Sequence, residues 1–335
     1  MRRWPLIALV ILVTIPSPLW AWGSRGHHII NGGAVDLLPE PLGAFFEHHR
    51  GEMVAHAVDP DIWVEHKVLT PPWTHFIDLE NYGEPPFADI PLDYAAAVTK
   101  YSEHNMQKWG TLPWEIESRR AALTQAFRDG EWDDVIREAT WLGHYIADST
   151  MPLHSTKDYK GEKAGCVTVP GRSPEHSAHS RIEVGLLDHY KAEYGALRGR
   201  GENVRHIDLR EELWKDLAKT YTLVSPALEA DIESSKLDPS LGAAFYSDLE
   251  RRIGGPMKGQ ITHAQELLAS AWLSAWEDAG RPALPSVDVR VVWPDISAPS
   301  PRSASRTADA PGLAVALPII FAILFFLLRA ARRRC

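Results

Sequence analysis

The sequence predicts an all-α protein, with a single compact multi-helix domain over residues 22–281 that is long enough to bury a core. Three observations carry this expectation. Apolar residues recur at the helical period, a histidine precedes a carboxylate by four positions in two places, and period-2 alternation is scarce. The clearest element runs from Asp133 to Met151. There Val135, Ile136, Ala139, Leu142, Ile146 and Ala147 form one stripe, and Pro152 ends the helix. Ser173-Pro-Glu175 reads as a second helix start, with serine as cap and proline at the first position, opening a helix through Ala192. Further helices are expected from Arg25 to Leu38, Ser118 to Asp129, Leu209 to Ser234 and Ile261 to Asp278. Trp132, Trp141, Trp272 and Trp276 sit at helical spacing and read as core. Ser286 to Trp293 alternates valine with polar residues, as a strand or an extended linker does.

The two ends of the chain read differently from its middle. Met1-Arg-Arg is a positive n-region, Pro5 to Ile15 is apolar, and Pro16-Ser-Pro-Leu-Trp-Ala21 ends on a small residue. Residues 1–21 therefore read as a signal peptide whose removal leaves the free amine of Trp22 at the terminus. Residues 282–310 are rich in Pro, Ser and Ala, the composition of a linker. An uncharged apolar span follows at 311–328, and 329–335 is a basic tail. Such a span is just long enough to cross a bilayer core, with the arginines held on the cytoplasmic side. The expectation is an exported protein on the periplasmic or extracellular face, anchored by its C-terminal segment. The same tail resembles bacterial C-terminal sorting tags, in which case it is cut off.

A net charge of -9 argues against a general nucleic-acid binder that relies on a basic face. Only Cys166 and Cys335 are present, on opposite sides of the membrane in this topology, so no internal disulfide is expected. Cys166 reads as a loop or partly buried thiol.

The chemistry lies in His144-x3-Asp148-x5-His154 and His179-x3-Glu183, with Asp61 and His75 upstream. A His and a carboxylate four positions apart share one helix face and converge on one point. His144 and Asp148 flank the apolar stripe and point inward, where an unpaired carboxylate is costly unless a metal or a hydrogen-bond network receives it. Imidazole and carboxylate without thiolate suit zinc. His48, His49, His56, His66, His104, His176, His189, His206 and His263 match no ligand pattern, and His28 is turned away from the face that His27 uses.

Trp22-Gly-x-x-Gly-His27, Asp61, His75 in His-Phe-Ile-Asp, His144-x3-Asp148-x5-His154 and His179-x3-Glu183 together resemble the zinc-dependent phospholipase C and S1/P1 nuclease superfamily, over nearly the whole stretch from Trp22 to Gly280. The resemblance implies that family's all-α fold, a monomer and three zinc ions. Trp22 and His27 with Asp148 would hold one ion. Asp61, His75, His144 and Asp148 would hold its neighbour, and His154, His179 and Glu183 the third. Asp148 would then bridge two ions. Clustered divalent ions roughly 3.5–4 Å apart activate a water and clamp a phosphodiester for in-line attack. Asp61 is the expected catalytic residue, both ligand and proton acceptor, because a carboxylate can swing off a metal as an imidazole cannot.

Two substrates stand open, phospholipid and single-stranded nucleic acid. The step from Asp61 to His75, the Asp-Pro-Asp61 context and Glu183 as last ligand resemble the phospholipase C branch, whereas the Trp22 to His27 spacing resembles the nuclease branch. The nuclease strings Trp-Ala-Asp-x-x-Arg and Asn-Leu-His-x-x-x-Asp are absent, so phospholipase C is favoured. A membrane-tethered lipase also meets its substrate in the bilayer. A non-catalytic zinc-binding envelope protein is the third reading.

Overall fold

A computed structural model describes residues 23–66, 70–170, 176–285 and 289–294. The expected signal peptide with Trp22, the apolar span and the basic tail lie outside the described residues.

The centre of the fold is α8 (Trp132–Thr150). Its stripe is the one the periodicity predicts, and from Glu138 to Thr150 every residue is buried. A helix hydrophobic on one face yet buried all round must be wrapped by others. α7 (Leu112–Asp129) runs back along it after a left-handed turn at Gly130, whose φ of +69° favours glycine. α1 (Gly23–Val35), α2 (Leu42–Ala55) and α15 (Gly255–Asp278) cover further faces. Trp272 of α15 donates its indole N–H to the Ala139 carbonyl at 3.0 Å and stacks on Phe46, so this tryptophan is core as expected. α3 (Asp59–His66), α4 (Leu79–Tyr82), α5 (Tyr94–Tyr101) and α6 (Glu103–Trp109) are short pieces leading into α7. After α8, α9 (Ala178–Ser180) passes through a π-turn at Arg181–Gly185 into α10 (Leu186–His189) and α11 (Lys191–Gly195). α12 (Leu209–Tyr221), α13 (Val224–Leu237) and α14 (Ala243–Leu249) precede the long α15. No strand occurs among the described residues.

Four expectations need correction. The helix expected over Leu209 to Ser234 is broken between α12 and α13, because Pro226 lacks the N–H to continue a helical ladder and fits only in a first turn. The second ligand helix begins at Ala178, capped by Ser177, whose Oγ accepts from the Ser180 N–H; Ser173, the expected cap, lies outside the described residues. That helix does not run on to Ala192, since Tyr190 leaves helical geometry before α11. Finally, the chain beyond Arg281 does not leave the domain at once. Leu284, Val289, Val291 and Trp293 pack on the core while Arg290 and Val292 face outward, so the period-2 pattern serves an extended segment laid on helices rather than a strand. Among the described residues no helix is long and apolar enough to cross a membrane.

Candidate metal centre

Four segments meet at one end of α8. His144 and Asp148 project from its last turns, and the chain then makes a tight turn, Pro152–His154, which brings His154 back toward the same point. α1 is drawn close by a small residue. A Cβ at Gly143 would lie 2.4 Å from Asn31 Oδ1, so only glycine admits this approach. The rings of His27 and His144 consequently stack at 4.1 Å. Asp61 enters from the first turn of α3, and His75 from the end of the turn Pro72–Thr74.

The distances describe a convergent set. Asp148 Oδ2 lies 3.2 Å from His75 Nδ1 and 3.4 Å from His144 Nε2, while its Oδ1 lies 3.6 Å from His27 Nε2 and 3.9 Å from His154 Nδ1. Each oxygen thus faces a different pair of imidazoles. Asp61 Oδ1 sits 3.5 Å from His75 and 3.6 Å from His144, and its Oδ2 lies 3.9 Å from His27. On the far side His179 Nε2 is 3.0 Å and His154 Nε2 3.7 Å from Glu183 Oε2. The donors form three groups, each able to hold a metal ion: His27–Asp61–His144, His75–His144–Asp148 and His154–His179–Glu183. The third is the set the sequence predicts. In the first, His27 keeps company with Asp61 and His144, with Asp148 Oδ1 close by. Trp22, its other expected companion, lies outside the described residues. Gly23 next to it opens α1 with φ +53°, which favours glycine, and packs on Val184, the neighbour of Glu183.

Ring orientation is fixed by two backbone carbonyls. His144 Nδ1 donates to Ala57 O at 2.9 Å and His154 Nδ1 to His75 O at 2.6 Å, so each ring turns a lone pair on Nε2 toward the cluster. Arg181, between His179 and Glu183, forms a fully buried two-point pair with Asp231 of α13, both contacts at 2.6 Å, which holds the π-turn in place. A π-turn within a helix commonly marks a functional site, and here it carries Glu183. None of these supports was foreseen in the sequence. Arg181 alone left a signal, as a charge enclosed by two predicted ligands.

The electrostatics are those of a set that lacks a common partner. Burial pushes the Asp61 carboxyl up to about 8. Burial acts the same way on Asp148, but the imidazoles of His144 and His154 outweigh it and hold that carboxyl well below the usual range. Burial, reinforced by His144, also drives His27 far down. Five buried ring and carboxylate atoms find no hydrogen-bond partner: both nitrogens of His27, Asp61 Oδ2, His75 Nε2 and Asp148 Oδ1. Orphaned polar atoms this concentrated are rare in a folded protein. The donors present fit divalent ions.

His28 is half-buried and belongs to none of the three groups, as expected. Trp63 is buried against Trp141. Cys166 is buried with its thiol directed at Leu228 O, and burial pushes that thiol well above the ordinary range. No family model matches the chain, and no curated protein matches it.

Proposed function

We propose that this protein is a zinc-dependent phosphodiester hydrolase holding three zinc ions, and that its substrates are phospholipids, cleaved as a phospholipase C cleaves them. One observation carries the reading. Three donor groups adjoin, two of them sharing His144, and the two oxygens of Asp148 face different imidazole pairs, as a carboxylate joining neighbouring ions would. His154, His179 and Glu183 would hold one ion; His75, His144, Asp148 and Asp61 a second; His27 with Asp148 and the Trp22 amine the remaining one. Zinc so clustered supplies hydroxide near neutral pH and neutralises charge on a phosphate.

The chain's own residues do the rest. The Ala57 and His75 carbonyls accept from Nδ1 of His144 and His154 and so turn the Nε2 atom of each ring toward the cluster. Asp61, on a short helix and with Oδ2 orphaned, is the carboxylate best placed to accept a proton at that atom. Tyr159 stands at the rim with its ring edge-on to His179 and Lys160 beside it, where a substrate bound to the third group would pass. The same exposed ring suits a stacked base. With the Trp22 to His27 spacing it supports the second reading, an S1/P1-type nuclease acting on single strands. In either case the leader and the apolar C-terminal span fit an enzyme exported and tethered at the cell surface.

A substrate panel on metal-loaded protein tests this: phosphatidylcholine analogues, single-stranded DNA and RNA, and an aryl phosphodiester. Release of diacylglycerol is expected. Mononucleotides instead would move the protein to the nuclease reading, and zinc binding without turnover of any substrate would overturn the hydrolase.

A further inference from the structure

We propose that residues 289–294 form a strap in which Trp293 positions Asp61 through α3, so that metal binding at the Asp61 side of the cluster depends on a segment outside the helices that carry the ligands. The inference rests on the metal reading above.

The path is short and continuous. The Trp293 ring lies flat on His56, centroids 3.8 Å apart and 5° from parallel. His56 Nδ1 donates to Asp59 Oδ2 at 2.8 Å, and Asp59 is the first residue of α3, two before Asp61. From its other edge Trp293 meets Trp141 at 6.2 Å, and Trp141 meets Trp63 of α3 at 4.7 Å. α3 is therefore reached at two points one turn apart, Asp59 and Trp63, by groups that touch Trp293. The strap is itself fastened at two points. Arg137 of α8 donates to Val292 O at 2.8 Å, and the Trp293 indole N–H reaches Glu52 Oε2 of α2 at 3.4 Å.

α3 needs such support. Eight residues cannot sustain a helix alone, so tertiary contacts set where its side chains point. On the cluster side α3 presents the Asp61 carboxylate, and the chain leading into it receives the His144 hydrogen bond at Ala57. On the outer side the His56–Asp59 hydrogen bond fixes its first turn, and Trp293 keeps His56 in place. A ligand must be held within roughly half an ångström of its productive position. Loss of a group that supports a ligand typically lowers metal affinity about 10–100-fold.

The test is cobalt(II) and zinc titration of the full chain after chelation, with stoichiometry, competition affinity and cobalt visible absorption as readouts. Trp293→Ala should keep its helical circular dichroism, bind one ion as the unaltered chain does through His154, His179 and Glu183, and weaken the Asp61-side sites about 10–100-fold. Trp293→Phe, which keeps a stacking ring, should recover most of that loss. His56→Leu should weaken the same sites, and the Trp293→Ala/His56→Leu double variant should lose no more than the worse single one, as expected for residues acting in series. Unchanged affinities and cobalt spectra in Trp293→Ala would overturn the strap, as would additive losses in the double variant. If Trp293→Ala fails to fold, the His56→Leu and Trp293→Phe results decide. An unaltered chain that binds no metal would instead overturn the metal reading, and the strap with it.

Discussion

Asp148→Asn is the substitution that probes the cluster most directly. The side chain is fully buried and its two oxygens lie 3.2–3.9 Å from four imidazole nitrogens, of His75, His144, His27 and His154. Asparagine preserves the volume and one carbonyl oxygen. It replaces the other oxygen with an NH2 that cannot ligate and removes the charge. The central groups should therefore fail together, while His154, His179 and Glu183 keep their ion. Metal bound at 100 times its dissociation constant stabilises the folded state by about 2.7 kcal/mol per ion. Losing two ions removes about 5 kcal/mol. At 2–4 °C per kcal/mol for a domain of this size, the rise in Tm on zinc addition should shrink by roughly 10–20 °C. Elemental analysis after gel filtration and thermal scans with and without chelator read both quantities. Near three zinc per chain is expected for the unaltered protein and near one for the variant. A variant that retains close to three, with an undiminished thermal shift, would refute the bridging role.

Asp231→Ala should cost about 3–5 kcal/mol in urea unfolding, since it leaves a fully buried guanidinium without its carboxylate, and a loss below about 1 kcal/mol would show that the pair does not hold the π-turn. His263→Gln should destabilise more at pH 5.5 than at pH 8.5. The His263–Asp216 contact at 2.7 Å raises the His263 pKa, so its contribution is complete below 6.5 and fades as pH rises through the folded value; the lowered Asp216 keeps its share until pH falls below about 3.8. With His263 partly exposed the effect should be about 1 kcal/mol or less, and a difference independent of pH would refute the linkage. A chain beginning Met-Trp22 displaces the proposed amine ligand, whose ordinary pKa is about 7.7–8.0; it should hold less zinc and turn over more slowly than a chain beginning at Trp22, and equality would remove Trp22 from the ligand set.

The sequence exposed different parts of this molecule to different degrees. α8 was legible because its apolar stripe is long and its stop signal, Pro152, is unambiguous. The break between α12 and α13 was hidden because Leu223 and Val224 continue an apolar pattern and only Pro226 hints at a new first turn. At the site, His144 with Asp148 and His179 with Glu183 were readable from helical spacing. The meeting of His27, Asp61 and His75 with them was not, because no local period links residues on five separate segments, and only the resemblance suggested it. The carbonyls of Ala57 and His75 have no sequence signature at all, since every residue carries one. The strap was legible only in part. Its alternation was read as a strand or an extended linker, because the Pro and Ser around it read as linker, and that Val289, Val291 and Trp293 pack on the helices was not.

A network of shared protons is the natural rival to metal in a buried cluster of histidines and carboxylates, and hydrogen-bond direction separates the two. His144 and His154 each commit Nδ1–H to a backbone carbonyl, so in their neutral forms both present Nε2 as an acceptor. His144 Nε2 can accept from His75 Nδ1 at 3.1 Å, whereas His154 Nε2 faces Glu183 Oε2 at 3.7 Å, an acceptor as well. Protonating His154 restores a donor there, and against the effect of burial Asp148 and Glu183 push its pKa up to about 9. That proton would still leave both nitrogens of His27 without a partner. Divalent ions would take one ring nitrogen of His27 and the Nε2 lone pair of His154 and require no extra proton. Burial drives His27 toward its neutral form, which is the form that ligates. The residue that a proton network leaves worst served is the one that metal binding needs in the state it already favours.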